Sequence, residues 1–141
     1  MTAGNILCAA NAADPALDDA VVRTVARYKK LRPYLAGDFY PLMPHDASEH
    51  AWFAYQFHRP DMAAGMAIAF RRAASPYESV RLNLRGLDPE ARYAIANLDT
   101  GTRVEATGRE LVEKGMCIQI AERPESALVV YERIPAPQSS R

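Results

Sequence analysis

The stretch "SVRLNLRGL" (residues 79–87) decides the fold, because its side chains alternate between apolar and polar along the chain. The apolar members are Val80, Leu82 and Leu84, and the polar members are Arg81, Asn83 and Arg85. Successive side chains of an extended chain point to opposite sides, so this alternation predicts a half-buried strand of an antiparallel sheet. Leu82 and Leu84 are therefore expected in the core.

Strand-like segments repeat outward from this stretch in both directions, at intervals of roughly ten residues. They are "DFYPL" (38–42), "AWFAYQF" (51–57), "GMAIAFRR" (65–72), "RYAIANL" (92–98), "TRVEAT" (102–107), "MCIQI" (116–120) and "ALVVYERI" (127–134). The turn residues "DTG" (99–101) join two of them as a hairpin. The pattern predicts a mainly β protein, an antiparallel β-sandwich of seven to eight strands.

One helical segment precedes the strands. Asp14 is suited to cap a helix that begins at Pro15, and the apolar positions that follow lie three and four residues apart. Pro33 is expected to end or kink the helix, and Gly37 to terminate it. The predicted organisation is a weakly ordered start (1–15), a helix (16–36), a sandwich (37–134) and a flexible tail (135–141).

Charge and cysteine content narrow the functional classes. Seventeen basic residues balance seventeen acidic ones, which argues against a nucleic-acid surface or a polybasic membrane surface. The chain has two cysteines, Cys8 and Cys117, and they fit reduced thiols in a cytoplasmic protein better than a disulfide framework. No cofactor is expected, because no phosphate-binding or metal-ligand motif is present.

The order of these segments resembles the C-terminal end of a known enzyme family. The run "YKKLRPYLAGDFYPLMP", the strands "AWFAYQF" and "GMAIAFRR", then "SPYESVRLNLRGLDPEARY", "LDTG", "TGRELVEKG" and "ESALVVYE" look like the end of the α-galactosidases of glycoside hydrolase family 36. The resemblance covers residues 17–133. It implies that residues 17–36 match the last helix of a catalytic (β/α)-barrel and that residues 38–133 match the β-sandwich behind it.

The resemblance also implies what the chain does. The two catalytic aspartates of that family of retaining glycosidases lie in the barrel, so no catalytic residue is assigned here. The expected role is that of a non-catalytic accessory domain, which is not expected to be active alone. Its partner would be a catalytic barrel on a separate chain, or a second copy of itself. The expected interface comprises Tyr28, Leu31, Tyr34, Leu35, Phe39 and Tyr40.

Two alternatives stay open at this point. A carbohydrate-binding module would use exposed aromatic rings, for which Trp52, Tyr55 and Tyr77 are the candidates and a galactoside the expected ligand. A metal protein would use "PHDASEH" (44–50), although four side chains close together in a loop rarely converge on one ion, so a plain polar loop is favoured. Outside that loop, His58 is expected to be exposed at a strand end and Cys117 to be at least half-buried.

Overall fold

The computed structural model describes residues 15–135, so the predicted weakly ordered residues 1–14 and tail residues 136–141 lie outside the described residues. The described chain contains two α-helices, α1 (Pro15–Leu31) and α2 (Gly108–Glu113). It also contains two 3-10 helices, one directly after α1 (Arg32–Ala36) and a short one (Pro60–Met62). The strands are β1 (Asp38–Pro41), β2 (Phe53–Arg59), β3 (Ala64–Arg71), β4 (Ser79–Leu82), β5 (Arg92–Asn97), β6 (Arg103–Thr107), β7 (Met116–Gln119) and β8 (Glu125–Arg133). None of the helices in this range is long and apolar enough to cross a bilayer.

The strands form two antiparallel sheets that face each other. The large sheet has the order β1-β2-β3-β8-β5-β6, and the small sheet pairs β4 with β7. This arrangement confirms the prediction of a β-sandwich preceded by one helix. The predicted inward side chains Leu82 and Leu84 lie in the core, where they are essentially inaccessible to solvent.

The joint between helix and sandwich is a 3-10 segment. The α-helix ends at Leu31, two residues before Pro33, which agrees with the steric pressure that proline puts on the preceding residue. Gly37 then adopts an extended backbone with φ −87°. A Cβ atom on Gly37 would overlap the carbonyl of His58 on β2. Glycine is needed here for close approach of two backbones, and not for a left-handed helix cap.

The inner face of the large sheet is built from small side chains and one polar network. The small residues are Ala54, Ala67, Ala69 and Ala127, all buried. They let the small sheet and α2 approach closely, with Leu111, Met116 and Ile118 packed against them. The large buried side chains of the same core, Tyr93, Ile95 and Val129, lie on the strands β5 and β8.

Gln56 ties the two layers of the sandwich together. Its amide nitrogen donates to the carbonyl of Arg85 (2.8 Å) and to the hydroxyl of Tyr131 (2.6 Å). Its amide oxygen accepts from the backbone N–H of Arg85 at 2.8 Å. Arg85 follows β4, so one buried side chain on β2 satisfies both backbone groups of a residue at the opposite sheet.

Two expectations about single residues are wrong. His58 is not exposed but 3% accessible, because it lies on the inner face of β2 with Nδ1 3.0 Å from the Tyr131 hydroxyl. Cys117 is exposed, because it occupies the outward position of β7 between the buried Met116 and Ile118. Sequence alternation assigns the two sides of a strand but does not say which neighbouring residue is turned inward.

Candidate docking face

The outer surface of the large sheet carries a cluster of large apolar side chains, which we call the aromatic face. It is formed by Phe39, Phe53, Tyr55, Phe57, Met66, Ile68 and Phe70, on β1, β2 and β3. Strand register aligns them, since Phe53 pairs with Phe70, Tyr55 with Ile68, and Phe57 with both Met66 and Phe39. Cross-strand pairs on one side of a sheet lie within side-chain contact, so these residues form a continuous surface.

Five aromatic rings of this face contact one another. Their centroids are 5.4 Å apart for Phe39 and Phe57, 5.8 Å for Phe39 and Tyr55, and 5.6 Å for Phe53 and Tyr55. Tyr55 also meets Phe57 edge to face at 5.7 Å and Phe70 at 6.0 Å. These are the tilted and edge-on geometries in which aromatic pairs attract each other.

The aromatic face is only partly shielded from water. Phe39 is 56% exposed and Phe53 is 37% exposed, while Tyr55 and Phe57 are half-buried. Partial burial raises the pKa of the Tyr55 hydroxyl. An antiparallel sheet usually packs one face on the core and wets the other, and contiguous exposed apolar surface marks an interaction site. The outer face of this sheet therefore has the character of an interface.

Helix α1 crosses the same outer surface without closing it. Its apolar positions Val25, Tyr28 and Leu31 are half-buried, and none of its described side chains is fully buried. Arg27 of α1 forms an ion pair at 2.6 Å with Asp99 in the β5–β6 hairpin, and Asp99 also accepts the backbone N–H of Leu128. At the other end, Arg59 donates to the carbonyl of Pro33 at 2.7 Å.

A groove of about 1210 Å³ remains between α1 and the aromatic face. Its wall is formed by Tyr28, Leu31 and Leu35, and its floor by the seven side chains of the aromatic face. Glu49, Arg72 and Glu125 line the groove as well, and the Arg72 guanidinium lies 6.0 Å from the centre of the Phe53 ring. Most of the side chains that line the groove are therefore apolar, and a few are charged.

The structure brings together four of the six predicted interface residues. Tyr28, Leu31, Leu35 and Phe39 all line the groove. Tyr34 instead lines a smaller groove of about 500 Å³ on β5, β6 and β8, where burial and then the charge of Glu132 raise the pKa of its hydroxyl. Tyr40 points away from both, with its hydroxyl beside Gly86. Their role as an interface stays a prediction.

The three candidate sugar-stacking residues do not share one surface. Trp52 is 5% exposed and its indole N–H donates to the carbonyl of Tyr77, so its ring is part of the core and presents no face to a ligand. Tyr55 belongs to the aromatic face, and Tyr77 is 71% exposed on the segment before β4. A stacking role for Tyr55 and Tyr77 stays a prediction, without the third ring.

The histidine-containing loop is held by local hydrogen bonds. Asp46 accepts the backbone N–H of Ser48, and the His50 ring lies 3.0 Å from the carbonyl of Ala74. Arg72 donates to the carbonyls of Asp46 and Ser48. Across residues 15–135, no three histidine, cysteine or acidic side chains are grouped as metal ligands. These contacts account for the loop as a connection between β1 and β2.

Sequence reasoning missed two groups of residues. The first group is Met66, Ile68 and Phe70 of β3, which strand register joins to Tyr55 and Phe57 in one surface. The sequence does indicate that "AWFAYQF" carries aromatic side chains on both of its sides and that each side requires a cover. It does not indicate which residues of β3 lie beside them. The second group is the buried network of Gln56, His58 and Tyr131, for which spacing along the chain offered no signal.

Comparison with known proteins agrees with this architecture. A family model described as the glycosyl hydrolase family 36 C-terminal domain matches residues 52–131. Curated proteins provide no match to the sequence.

Three solved α-galactosidase structures are similar in fold. The enzyme from Lactobacillus brevis has a TM-score of 0.69 at 23% identity, over 92% of this chain and 18% of that chain. The GH36 enzyme AgaA from Geobacillus stearothermophilus, solved with stachyose, gives 0.70 at 23% identity, over 86% and 16%. The galactosidase domain of the α-galactosidase–sucrose kinase AgaSK gives 0.67 at 17% identity, over 86% and 17%. This chain thus spans less than a fifth of each of these structures.

Proposed function

This chain belongs to the glycosyl hydrolase family 36 C-terminal domain family, and on that premise we propose that it docks through its aromatic face onto a catalytic barrel carried by another polypeptide. In that assembly it has a structural role: it covers and stabilises the barrel, which performs the chemistry. The observation that carries the proposal is the half-exposed cluster of five rings beside α1.

The length of the matched proteins supports a barrel as the cover. The chain corresponds to 16–18% of the three α-galactosidase structures described above, so most of each of those proteins lies outside the matched part. The core of this domain is closed on the inner face of the large sheet. The aromatic face on the outer side is apolar, so it needs a second body to cover it. The rest of such an enzyme supplies one.

Co-expression tests this docking directly. The tagged chain is expressed with a barrel polypeptide from a family 36 α-galactosidase that lacks its own C-terminal domain and accepts that domain in trans. We expect a one-to-one complex on size exclusion, and at least a tenfold loss of affinity for Phe53→Glu, because a carboxylate would be buried against apolar surface.

The matched control is Tyr77→Glu, which changes a more exposed aromatic residue away from the aromatic face. It should bind like the parent chain, and circular dichroism should show both variants folded. Absence of a complex, while the barrel still accepts its own domain, would overturn the proposal. Equal loss in both variants would also overturn it.

When no barrel is present, we expect a second copy of this chain to cover the aromatic face. Two copies would pair through the aromatic face and α1, since each leaves apolar surface in water there. Sedimentation velocity should show a concentration-dependent dimer that Phe53→Glu shifts to monomer. A clean monomer at high concentration would rule out this self-association.

Two finer points belong to the same proposal. A galactoside ligand remains a prediction, tested by isothermal titration calorimetry at millimolar galactoside, because the buried Trp52 would not report on a sugar at Tyr55 or Tyr77. No heat of binding would count against it. A cytoplasmic location is inferred from the two cysteines, with Cys117 an exposed free thiol. Thiol titration of the purified, unreduced protein in denaturant should give two free thiols.

A further inference from the structure

We infer that strand β6 pairs with the β6 strand of a second copy of this chain, so that two large sheets join edge to edge. This contact is separate from the docking role proposed above, because β6 lies at the far end of the sheet order from the strands of the aromatic face. Three features of β6 support it, namely its free backbone groups, its alternating charges and the exposed side chain of Val104.

Two hydrogen bonds at the ends of the β5–β6 ladder show which backbone groups of β6 are already paired. The Asn97 N–H donates to the Thr102 carbonyl at 2.9 Å, and the Gly108 N–H donates to the Ala91 carbonyl at 2.8 Å. In an antiparallel pair, every second residue of a strand bonds to the same neighbour. In the register of β5 with β6, the even-numbered residues of β6 therefore bond to β5.

The odd-numbered residues Arg103 and Glu105 then direct their N–H and C=O groups to the open side of β6. Strand β6 is last in the order of the large sheet, so no strand of the described chain pairs with it there. Among residues 15–135, no turn or loop hydrogen bond uses these backbone groups either. Both residues are exposed. An edge with free groups of this kind is a template for pairing with another strand.

The opposite edge of the large sheet is protected against such pairing. The Leu42 N–H donates to the Ala54 carbonyl at 3.0 Å, so the same alternation turns the backbone of Phe39 and Pro41 outward on β1. Pro41 has no N–H to donate, and proline on an edge strand blocks edge-to-edge association. Strand β6 has the sequence "RVEAT" and no proline. The chain therefore closes one edge of the sheet and leaves the other available.

The charges of β6 select one pairing register. Two antiparallel β6 strands centred on Val104 place Arg103 of one copy opposite Glu105 of the partner subunit, and the reverse pair forms on the other side of the centre. This register also joins all the outward N–H and C=O groups of both strands in hydrogen-bonded pairs. A register centred on Arg103 or on Glu105 would instead set like charges directly opposite each other, which is destabilising.

The same register covers the exposed apolar side chain of β6. Val104 is 52% exposed, and it would meet Val104 of the partner subunit in a non-hydrogen-bonded pair, where facing side chains are closest. Glu105 forms an ion pair with Arg92 at 2.9 Å, and Arg103 of the partner subunit would approach the same carboxylate. The contact involves five residues of each strand, so it is small, and the pair should form at high concentration and dissociate on dilution.

Disulfide trapping detects a contact of this strength. The full chain carries Phe53→Glu, which disables pairing through the aromatic face, together with Cys8→Ser and Cys117→Ser. Val104→Cys then places two thiols across the symmetry axis with Cα atoms about 4.5 Å apart, a distance that a disulfide spans. The control Thr102→Cys, at the exposed residue before β6, lies roughly 14 Å from its counterpart. In a glutathione buffer it should give roughly tenfold less disulfide dimer.

Charge reversal tests the register. In the Val104→Cys chain, Arg103→Glu and Glu105→Arg each set like charges opposite each other, so each should lower the yield of disulfide dimer roughly tenfold. A mixture of the two variants should recover the dimer as a heterodimer, because the new carboxylate of one chain faces the new guanidinium of the other. Mass spectrometry distinguishes the heterodimer from the two homodimers, and circular dichroism should show every variant folded.

Two outcomes would overturn the inference. Equal yields from Thr102→Cys and Val104→Cys would show that the thiols meet by random collision. Failure of the mixed variants to form a heterodimer would show that Arg103 and Glu105 do not face each other. The aromatic face is disabled in all of these chains, so neither outcome bears on the docking proposal.

Discussion

The two faces of strand β2 differ in a way that reverses the usual pattern. The inner face carries Ala54, Gln56 and His58, which are small or polar and fully buried. The outer face carries Phe53, Tyr55 and Phe57, which are large aromatics left partly in water. The inner face is completed by hydrogen bonds and close fit within this chain. The outer face has the composition of a hydrophobic core, but its side chains are only partly covered.

The difference shows which face of β2 is completed by residues of this chain and which face is left for a partner. Gln56, His58 and Tyr131 satisfy one another and the backbone of Arg85, so nothing further is needed on that side. The outer rings contact one another but stay partly exposed to water. Helix α1 lies beside them, and its own apolar side chains are only half-buried. Substitutions on the inner face should therefore alter the stability of the free chain, and those on the outer face should alter docking.

The largest effect is expected for Gln56→Ala. The change leaves both backbone groups of Arg85 without partners and opens a cavity between the sheets, so the free energy of unfolding should fall by about 3–5 kcal/mol. Urea denaturation followed by circular dichroism measures it. The control Gln119→Ala, at an exposed position of β7, should change stability by less than about 0.5 kcal/mol. A small effect at Gln56 would mean that the network does not join the layers.

A paired substitution at adjacent residues sharpens the contrast between the faces. Ala54→Leu inserts three carbon atoms where the sheets meet closely, and it should cost about 1–3 kcal/mol through overpacking. Phe53→Leu, one residue earlier on the outer face, should cost less than about 1 kcal/mol, because the ring is already 37% exposed. If the two costs were equal, the outer face would be as well packed as the inner one.

A smaller, pH-dependent effect is expected at His58. Burial lowers the pKa of His58 below its ordinary value of 6.5, against weaker opposing effects from Asp38 and a hydrogen bond to the backbone of Gly86. The unfolded chain then binds the proton more readily, so stability should hold above pH 6.5 and fall as the pH drops below it.

The geometry explains the same preference for neutral His58. Gln56 already donates to the Tyr131 hydroxyl, which leaves that hydroxyl to donate to Nδ1 of His58. A protonated ring would offer a second donor where an acceptor is needed. Urea midpoints between pH 7.5 and 5.5 measure the slope, which His58→Gln should flatten. The control Gln119→Ala, which removes no titratable group, should keep it. A slope that persists in His58→Gln would assign it to other groups.

The smallest effect is expected for the ion pair that holds α1. Arg27 and Asp99 are both substantially solvated, so Arg27→Ala should cost less than about 0.5 kcal/mol despite the 2.6 Å contact. Urea denaturation at low and at high salt measures it. A cost above about 1 kcal/mol would show that α1 is anchored to the hairpin and belongs to the stable part of the free chain.

Much of the fold was predictable because it follows from local periodicity. The alternation in residues 79–87 predicted a strand, and Leu82 and Leu84 are in the core as expected. The end of α1 before Pro33 also follows from the restriction that proline places on the preceding residue. The 3-10 turn that continues to Ala36 was not predicted. The resemblance to family 36 agrees with the match over residues 52–131.

The candidate site was less predictable because it depends on pairing between distant strands. Four predicted interface residues line the groove, but Tyr34 and Tyr40 point elsewhere. Phe70 joins Phe53 and Tyr55 only through the register of β2 with β3. Periodicity within one strand carries no information about which residue of another strand lies opposite.

The sequence by itself determined that β2 alternates, with Ala54 and Gln56 on one side and Tyr55 and Phe57 on the other. Only the tertiary structure decided which side is the core. Hydrophobicity alone would have turned the rings inward. At Ala54, Ala67 and Ala69 the small sheet packs closely against β2 and β3, so small side chains fit at these positions. Phe53, Tyr55 and Phe57 lie on the opposite face, where a second body can bind.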